Sequence, residues 1–345
     1  MKLTIREIAK MAGVSPATVS KIMNNYAGIS NETKQKVMNI IETTGYQPTF
    51  SAKSLATKKS NLIGLIYAGK INVELNHPFF NEVINSFKKT VGSHGYDILI
   101  FSNEKFNKER GDDYLPRSRH YQVDGCLLIA GEEIESAVYE LDQSDIPCVG
   151  VDIELKGQKS SFVLTDNHKV SSNVVEHLYL NSVRDIGYIG GMKDSIISKL
   201  RTEGFIKTMN QFGLSVKEDW MAFGDFHEGS GYEAMKKILA KKPYPRAVFA
   251  ASDMMALGAM SAIREHGLRV PEDIALIGCD DIEACRYSDP KLTTVKQDKE
   301  KLGKLAAYML MDIINGDHES KSVLVDPELI VRESCGVHNI KKLRA

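Results

Sequence analysis

Ala17, Thr18, Lys21 and Asn24 recur at helical spacing and set small and hydroxylic side chains beside one cation. Side chains of that kind let a helix approach a duplex closely, and Lys21 reaches guanine acceptors in the major groove. The flanking residues supply the elements that such a surface needs. Thr4 with Glu7 three residues on is a capping box that starts a helix, and Ile5, Ile8 and Ala9 give it one apolar face. Gly13 supplies the left-handed turn that ends it. Ser15 is a good N-cap and Pro16 suits the first helical position, so a second helix follows at once with Val19, Ile22 and Met23 facing inward. Two short helices joined by a tight glycine turn form a helix-turn-helix. Spacing alone also fits a plain helical hairpin.

Charge separates the two readings. Residues 1–60 carry nine Lys/Arg (Lys2, Arg6, Lys10, Lys21, Lys34, Lys36, Lys53, Lys58, Lys59) against Glu7, Glu32 and Glu42, a balance of +6. The remainder holds −7, for a chain total of −1. A basic head on an acidic body is what a phosphate-binding module joined to a different domain looks like. Ser30 caps a third helix whose face is Val37, Ile40 and Ile41 and which ends at Gly45. The stretch Tyr46–Ser60 is polar, basic and interrupted by Pro48, yet it carries Leu55 and a capping residue, Thr49. A tether leaves that leucine unexplained, whereas an apolar wedge between base steps in the minor groove accounts for it.

From Asn61 onward, apolar runs of strand length (Leu62–Ala68, Tyr96–Phe101, Val123–Ala130, Ile146–Asp152, Phe162–Thr165, Asp185–Gly190, Ala247–Ala251, Ile274–Cys279) alternate with helical stretches. That alternation predicts parallel, doubly wound α/β sheets. The stretch is too long for one sheet and predicts two lobes, with ligands held at the carboxyl ends of the strands in a cleft. Cys126, Cys148, Cys279, Cys285 and Cys335 show no paired spacing and read as reduced, mostly buried thiols. With no apolar signal region and no run approaching the roughly 18 apolar residues of a membrane span, the protein is expected to stay in the cytoplasm and away from membranes. Nucleophile-elbow, phosphate-loop, dinucleotide and zinc-protease motifs are missing, and the nine histidines lack metal-ligand spacing. No catalytic residue, cofactor or metal is therefore expected.

TIREIAKMAGVSPATVSKIMNN, SAKSLATKKSNLIGLI, HPFF, VDGCLLIA, LRTEGF, SDMMALGAMSAIREHGLRVPEDIALIGCDDI and LTTVKQ together make the chain resemble, over essentially its whole length, the lactose repressor and galactose repressor family of bacterial transcription regulators. That resemblance implies a dimeric operator-binding repressor controlled by a small effector. It puts Pro16, Ala17 and Lys21 at base-reading positions and Ser15, Thr18 and Asn24 at phosphate contacts, with Thr4 also in the DNA-binding set. It makes 49–57 a hinge helix that folds on DNA, with Leu55 as the wedge and Ala52 and Lys53 near base edges. The body resembles periplasmic sugar-binding proteins, and the implied effector residues are Phe79, Phe80, Asp152, Arg201, Phe226, Ser252 and Asp280. Carboxylates and an arginine suit vicinal hydroxyls, and aromatic faces suit a sugar ring. A mono- or disaccharide inducer is expected, since no cationic cluster beyond Arg201 appears.

The expected division is a head at 1–48, a hinge at 49–60 and a body at 61–338. Within the body the N-lobe is expected at about 61–163 and 293–321 and the C-lobe at about 164–292 and 322–338, followed by a tail at 339–345. Two heads on a two-fold axis would read a pseudo-palindrome, and the short tail predicts a homodimer. Departures from the family pattern are Lys21 in place of arginine, Ser252 in place of asparagine, and a longer loop from Lys70 to His77 that lets His77 reach the ligand. Gly111 and Pro116 also stand where one continuous helix is usual. Asp253 reads as the cap of the following helix. The alternative is a catabolite-control regulator whose corepressor is a phosphorylated carrier protein, docked on a basic patch for which Lys88, Lys89 and Arg117 are the candidates.

Overall fold

A computed structural model describes residues 3–24, 26–47, 59–69, 76–102, 113–130, 134–317 and 321–336. The chain divides into two compact units, 1–60 and 61–345. The hinge positions Ala52, Lys53 and Leu55, the loop Lys70–Leu75, Gly111 and the tail 339–345 lie outside the described residues.

The head is a three-helix unit: α1 (Ile5–Ala12), α2 (Pro16–Met23) and α3 (Asn31–Thr44). Thr4 and Glu7 close the capping box at α1, and Gly13 ends it at φ 70°. Ser15 accepts from the Thr18 amide to start α2, and Pro16 fills its first turn. Ile8, Ala9, Ala12, Val19, Ile22, Val37 and Tyr46 meet in a small buried core.

In the body, the strands of the first sheet are β1 (Leu62–Ala68), β2 (Asp97–Ile100), β3 (Gly125–Ala130), β4 (Cys148–Val151), β5 (Ser160–Thr165) and β11 (Val323–Val325). They lie in the order β11-β5-β4-β3-β1-β2, all parallel. Alternate residues bury on opposite faces. Leu127 and Ile129 join a core with Phe79, Phe87 and Leu310, whereas Cys126 and Leu128 join one with Tyr114 and Val138. This is why these strands read as continuous apolar runs. Helices α4 (Pro78–Ser93), α5 (Tyr114–His120), α6 (Ser136–Asp142) and α11 (Lys299–Ile314) belong to this lobe.

The second sheet is built from β6 (Ile186–Gly190), β7 (Met221–Phe223), β8 (Ala247–Ala250), β9 (Ala275–Asp280), β10 (Thr293–Lys296) and β12 (Glu328–Ile330). Their order is β12-β10-β9-β8-β6-β7, and in this sheet only β12 is antiparallel to its neighbour. Helices α7 (Asn167–Leu180), α8 (Ile196–Gln211), α9 (Glu228–Leu239) and α10 (Asp253–Glu265) cover it.

The chain changes lobes three times, and each change falls a few residues later than expected. Leu164 and Thr165 complete β5 of the first sheet. Thr293–Lys296 stay in the second sheet because β10 extends the parallel ladder beside β9, with Thr293 opposite Ile277. Val323–Val325 return to the first sheet beside β5. Pro116 is also corrected: it sits in the first turn of α5, where its missing N–H has no intrahelical partner to lose, so it interrupts nothing.

Helices α9 and α10 touch backbone to backbone. A Cβ on Gly258 would lie 2.0 Å from the Glu228 carbonyl, and one on Gly231 would lie 2.2 Å from that of Met255. Gly258→Val is therefore expected to destabilise the body by about 1–3 kcal/mol or more through overpacking, as read by urea unfolding.

Candidate nucleic-acid interface and effector cleft

On the head, Thr4, Ser15, Pro16, Ala17, Lys21 and Asn24 are exposed and Thr18 is half-buried, while Val19 and Ile22 point into the core. The start of α2 thus presents one continuous outward surface. Three of its groups are already engaged. The Ser15 and Thr18 hydroxyls lie 2.9 Å apart, and the Asn24 amide donates to the Ser20 carbonyl at 2.9 Å. Lys21 is the cation of that face.

In the body, three of the expected effector residues, Asp152, Arg201 and Asp280, come together from both lobes at the carboxyl ends of the strands. Asp152 follows β4, Asp280 ends β9, and Arg201 projects from α8; all three are buried, at 7%, 3% and 2% exposure. The Arg201 guanidinium donates to Asn167 Oδ1 at 2.8 Å and to the Ala251 carbonyl at 2.5 Å. It also neighbours both carboxylates electrostatically. Asp152 Oδ1 is buried without a hydrogen-bond partner among the described residues. Burial pushes its carboxyl up to about 6, against the pull of Arg201 and with the help of Asp280.

Backbone geometry marks the same residues. Asp152 (φ 57°), Phe226 (φ 69°), Asp280 (φ 124°) and Asp281 (φ 52°) all adopt positive φ, at a cost of about 1–3 kcal/mol each. Strain of this kind gathers where side chains must be aimed at something. The Phe226 ring packs where a Cβ on Gly191 would stand, 2.0 Å from that position, so the glycine makes room for it. Phe79 is packed in the first-lobe core at 2% exposure; Phe80, at 9%, lies at its margin and meets the His77 ring at 5.5 Å.

Two expectations need correcting. Asp253 does not cap α10. Ser252 does, accepting from the Met255 amide at 3.1 Å while its hydroxyl donates to the Phe226 carbonyl at 2.9 Å. Its polar capacity is thus spent on backbone, and it shapes the turn that carries Phe226. The Asp253 carboxylate instead takes the Thr294 hydroxyl at 2.6 Å and the Ile282 amide at 3.0 Å; burial and then Asp280 raise its pKa. Arg117 leaves the proposed basic patch, since it is buried, donates to the Ser102 carbonyl at 3.0 Å and stacks 4.7 Å from the Phe101 ring.

Sequence reasoning missed Gln297, Lys299 and His227. Gln297 donates to Asp280 Oδ1 at 2.6 Å, and its own Oε1 is buried with no partner among the described residues. Lys299 donates to the Asp280 and Asp281 carbonyls at 2.9 and 2.7 Å and pairs with Glu82 at 3.1 Å. The motif LTTVKQ contains the glutamine, but only the strand register, with Lys296 opposite Asp280, brings it to the site.

Asp152 carries a pH prediction. Its ordinary value is 3.8 and its folded value about 6. The folded state therefore keeps a proton that the unfolded state loses, and stability falls as pH rises through that window. Asp152→Asn is expected to remove the Asp152 share of this dependence, leaving that of Asp253, whose carboxyl burial pushes up to about 7, and to stabilise the body at pH 7.5 by on the order of 2–3 kcal/mol, measured as the change in the difference between urea unfolding at pH 4.5 and 7.5.

Among the described residues, no helix is long and apolar enough to cross a membrane, and no three potential ligands cluster to hold a metal. Residues 4–49 match the family model of bacterial regulatory proteins, lacI family, and residues 175–335 that of the periplasmic binding protein-like domain. The HTH-type transcriptional repressor PurR of Pasteurella multocida (strain Pm70) is 36% identical over 333 residues, which is 96% of this chain and 98% of that one. Among solved structures, the lac repressor dimer bound to operator and the anti-inducer ONPF aligns with a TM-score of 0.84 at 25% identity, over 97% of this chain and 99% of that one. The complex of the transcriptional regulator CelR with cellobiose aligns with a TM-score of 0.70 at 27% identity, over 96% and 99%.

Proposed function

Because the chain belongs to the lacI family of bacterial regulatory proteins and is a DNA-binding transcriptional repressor, we propose that it acts as a homodimer on a pseudo-palindromic operator. Its interlobe cleft then takes a sugar as effector. In this reading residues 1–48 are the head and 49–60 the hinge. Pro16, Ala17 and Lys21 read bases, while Ser15, Thr18 and Asn24 meet the backbone and Thr4 belongs to the same DNA-binding set. Ala52, Lys53 and Leu55 act in the minor groove. The lac repressor structure, a dimer on its operator, supports the pairing, and two linked heads gain affinity without new base contacts.

One observation carries the sugar reading: the cleft holds two buried acceptors, Asp152 Oδ1 and Gln297 Oε1, with no donors among the described residues. Burying an acceptor unpaired costs about 1–3 kcal/mol, so the arrangement suits a ligand that brings hydroxyl hydrogens. Phe80 and Phe226 offer rings for the apolar face of a pyranose, and the cellobiose held by the CelR relative is of that class. A phosphorylated carrier protein as corepressor is less well supported, since burial of Arg117 leaves only Lys88 and Lys89 of the named patch exposed.

Thermal shift with D-glucose, D-galactose, D-ribose, cellobiose and the free nucleobases tests this. A ligand at 100 times its Kd stabilises by roughly 2.7 kcal/mol; a planar base that stabilises where no sugar does would overturn the reading. On the DNA side, Lys21→Ala is expected to relax one position of each half-site by about 1–3 kcal/mol. Operator variants titrated in parallel would show it, and an equal loss on every sequence would reduce Lys21 to a phosphate contact.

A further inference from the structure

Helices α4 and α9 start in facing lobes, and each starts on a histidine. His77 occupies the N-cap of α4 and His227 that of α9, yet neither side chain makes a capping hydrogen bond. Serine, threonine, aspartate or asparagine would cap either helix better. The two imidazoles instead turn toward each other, edge to face, with ring centroids 5.7 Å apart. His77 also packs against Phe80 at 5.5 Å.

His77 is 8% exposed, and its Nδ1 is buried without a partner among the described residues. Its ring takes a hydrogen bond to the Phe226 carbonyl of the facing lobe, and Asp280, His227 and Arg201 are the charged and titratable groups around it. Burial holds the imidazole below its ordinary value, with Asp280 opposing and His227 and Arg201 reinforcing, so the ring is neutral at pH 7.5. In a neutral imidazole one nitrogen donates and the other accepts. With the Phe226 carbonyl taking the N–H, the remaining nitrogen is Nδ1, and it holds a lone pair.

We propose that His77 is a specificity-determining residue of the cleft: Nε2–H holds the Phe226 carbonyl of the other lobe while Nδ1 accepts the hydrogen of one sugar hydroxyl. One ring thus reads the ligand and joins the lobes. The proposal rests on the reading of the cleft as a sugar site. It adds that the sugar must carry a hydroxyl at the position facing the start of α4. A site that hydrogen-bonds a hydroxyl rejects the analogue lacking it far more strongly than an apolar pocket rejects an extra group.

Two measurements on the full chain test it. The first, 15N histidine spectra without ligand at pH 7.5, is expected to show His77 as the Nε2–H tautomer, assigned by loss of its signals in His77→Gln. A protonated Nδ1 would overturn the proposal. The second is calorimetric titration of D-glucose, D-galactose, D-ribose and cellobiose, with the monodeoxy analogues of whichever binds. One deoxy analogue is expected to lose at least tenfold affinity in the parent protein. His77→Ala should bind the parent sugar at least tenfold more weakly and no longer distinguish that analogue. Equal discrimination in both proteins would overturn the proposal while leaving the sugar reading intact. If none of these sugars binds, the sugar reading fails and the proposal fails with it, whatever the tautomer.

Discussion

Arg201→Met is expected to cost the body about 3–5 kcal/mol and to abolish the effector response. The guanidinium is 2% exposed and stands beside Asp152 and Asp280. Removing one partner of a buried ionic group leaves the other uncompensated, and here two carboxylates are left. Met matches the length of the arginine stem, so the loss is of charge and hydrogen bonds more than of volume. Asn167 Oδ1 and the Ala251 carbonyl lose their donor as well. The deficit should shrink with falling pH, because Arg201 is what holds Asp152 down. Without it the carboxyl protonates more readily, and the penalised charge disappears. Urea unfolding at pH 5 and 7.5 would check this; a loss independent of pH would mean that packing, and not charge, is what Arg201 supplies.

Asp280→Asn is expected to lower affinity for the effector by about 2–5 kcal/mol while leaving operator affinity and folding near those of the parent. Asparagine tolerates positive φ and keeps the outline of the side chain, and its amide oxygen can still accept from Gln297 Nε2. What it loses is the negative charge opposite Arg201 and one acceptor for a ligand hydroxyl. The variant should therefore be locked in its effector-free behaviour toward DNA at every effector concentration. Operator titrations with and without cellobiose or the other sugars above would measure it, and an unchanged response would remove Asp280 from the site.

Much of the fold can be read locally. The Thr4 to Asn24 stretch carries its own caps, turn and apolar faces, so each helix end follows from neighbours in sequence. The central strands of both sheets are likewise continuous apolar runs because both faces are covered. β7, β10, β11 and β12 are short, and β12 exists only by pairing with β10; no periodicity over three or four residues announces such strands. Ser252 and Asp253 show the same limit in a site. Either can cap a helix, and the choice was made by Thr294 and Ile282, which claim the aspartate from across the sheet. Gln297 and Lys299 reach Asp280 through strand register, and the histidine pair only through the facing of two lobes. Single residues and local caps were legible; pairings between distant segments were not.

The three lobe changes have a consequence for how this regulator can be built or broken. Strand β10 completes the second sheet and runs directly into α11, whose Leu302, Ala306 and Leu310 complete the first-lobe core. Any cut that frees one lobe strips the other of a layer, so neither can be expressed as an independent half. The lobes are therefore expected to unfold as one cooperative unit. A ligand that grips both therefore stabilises the whole body and not merely the side it touches.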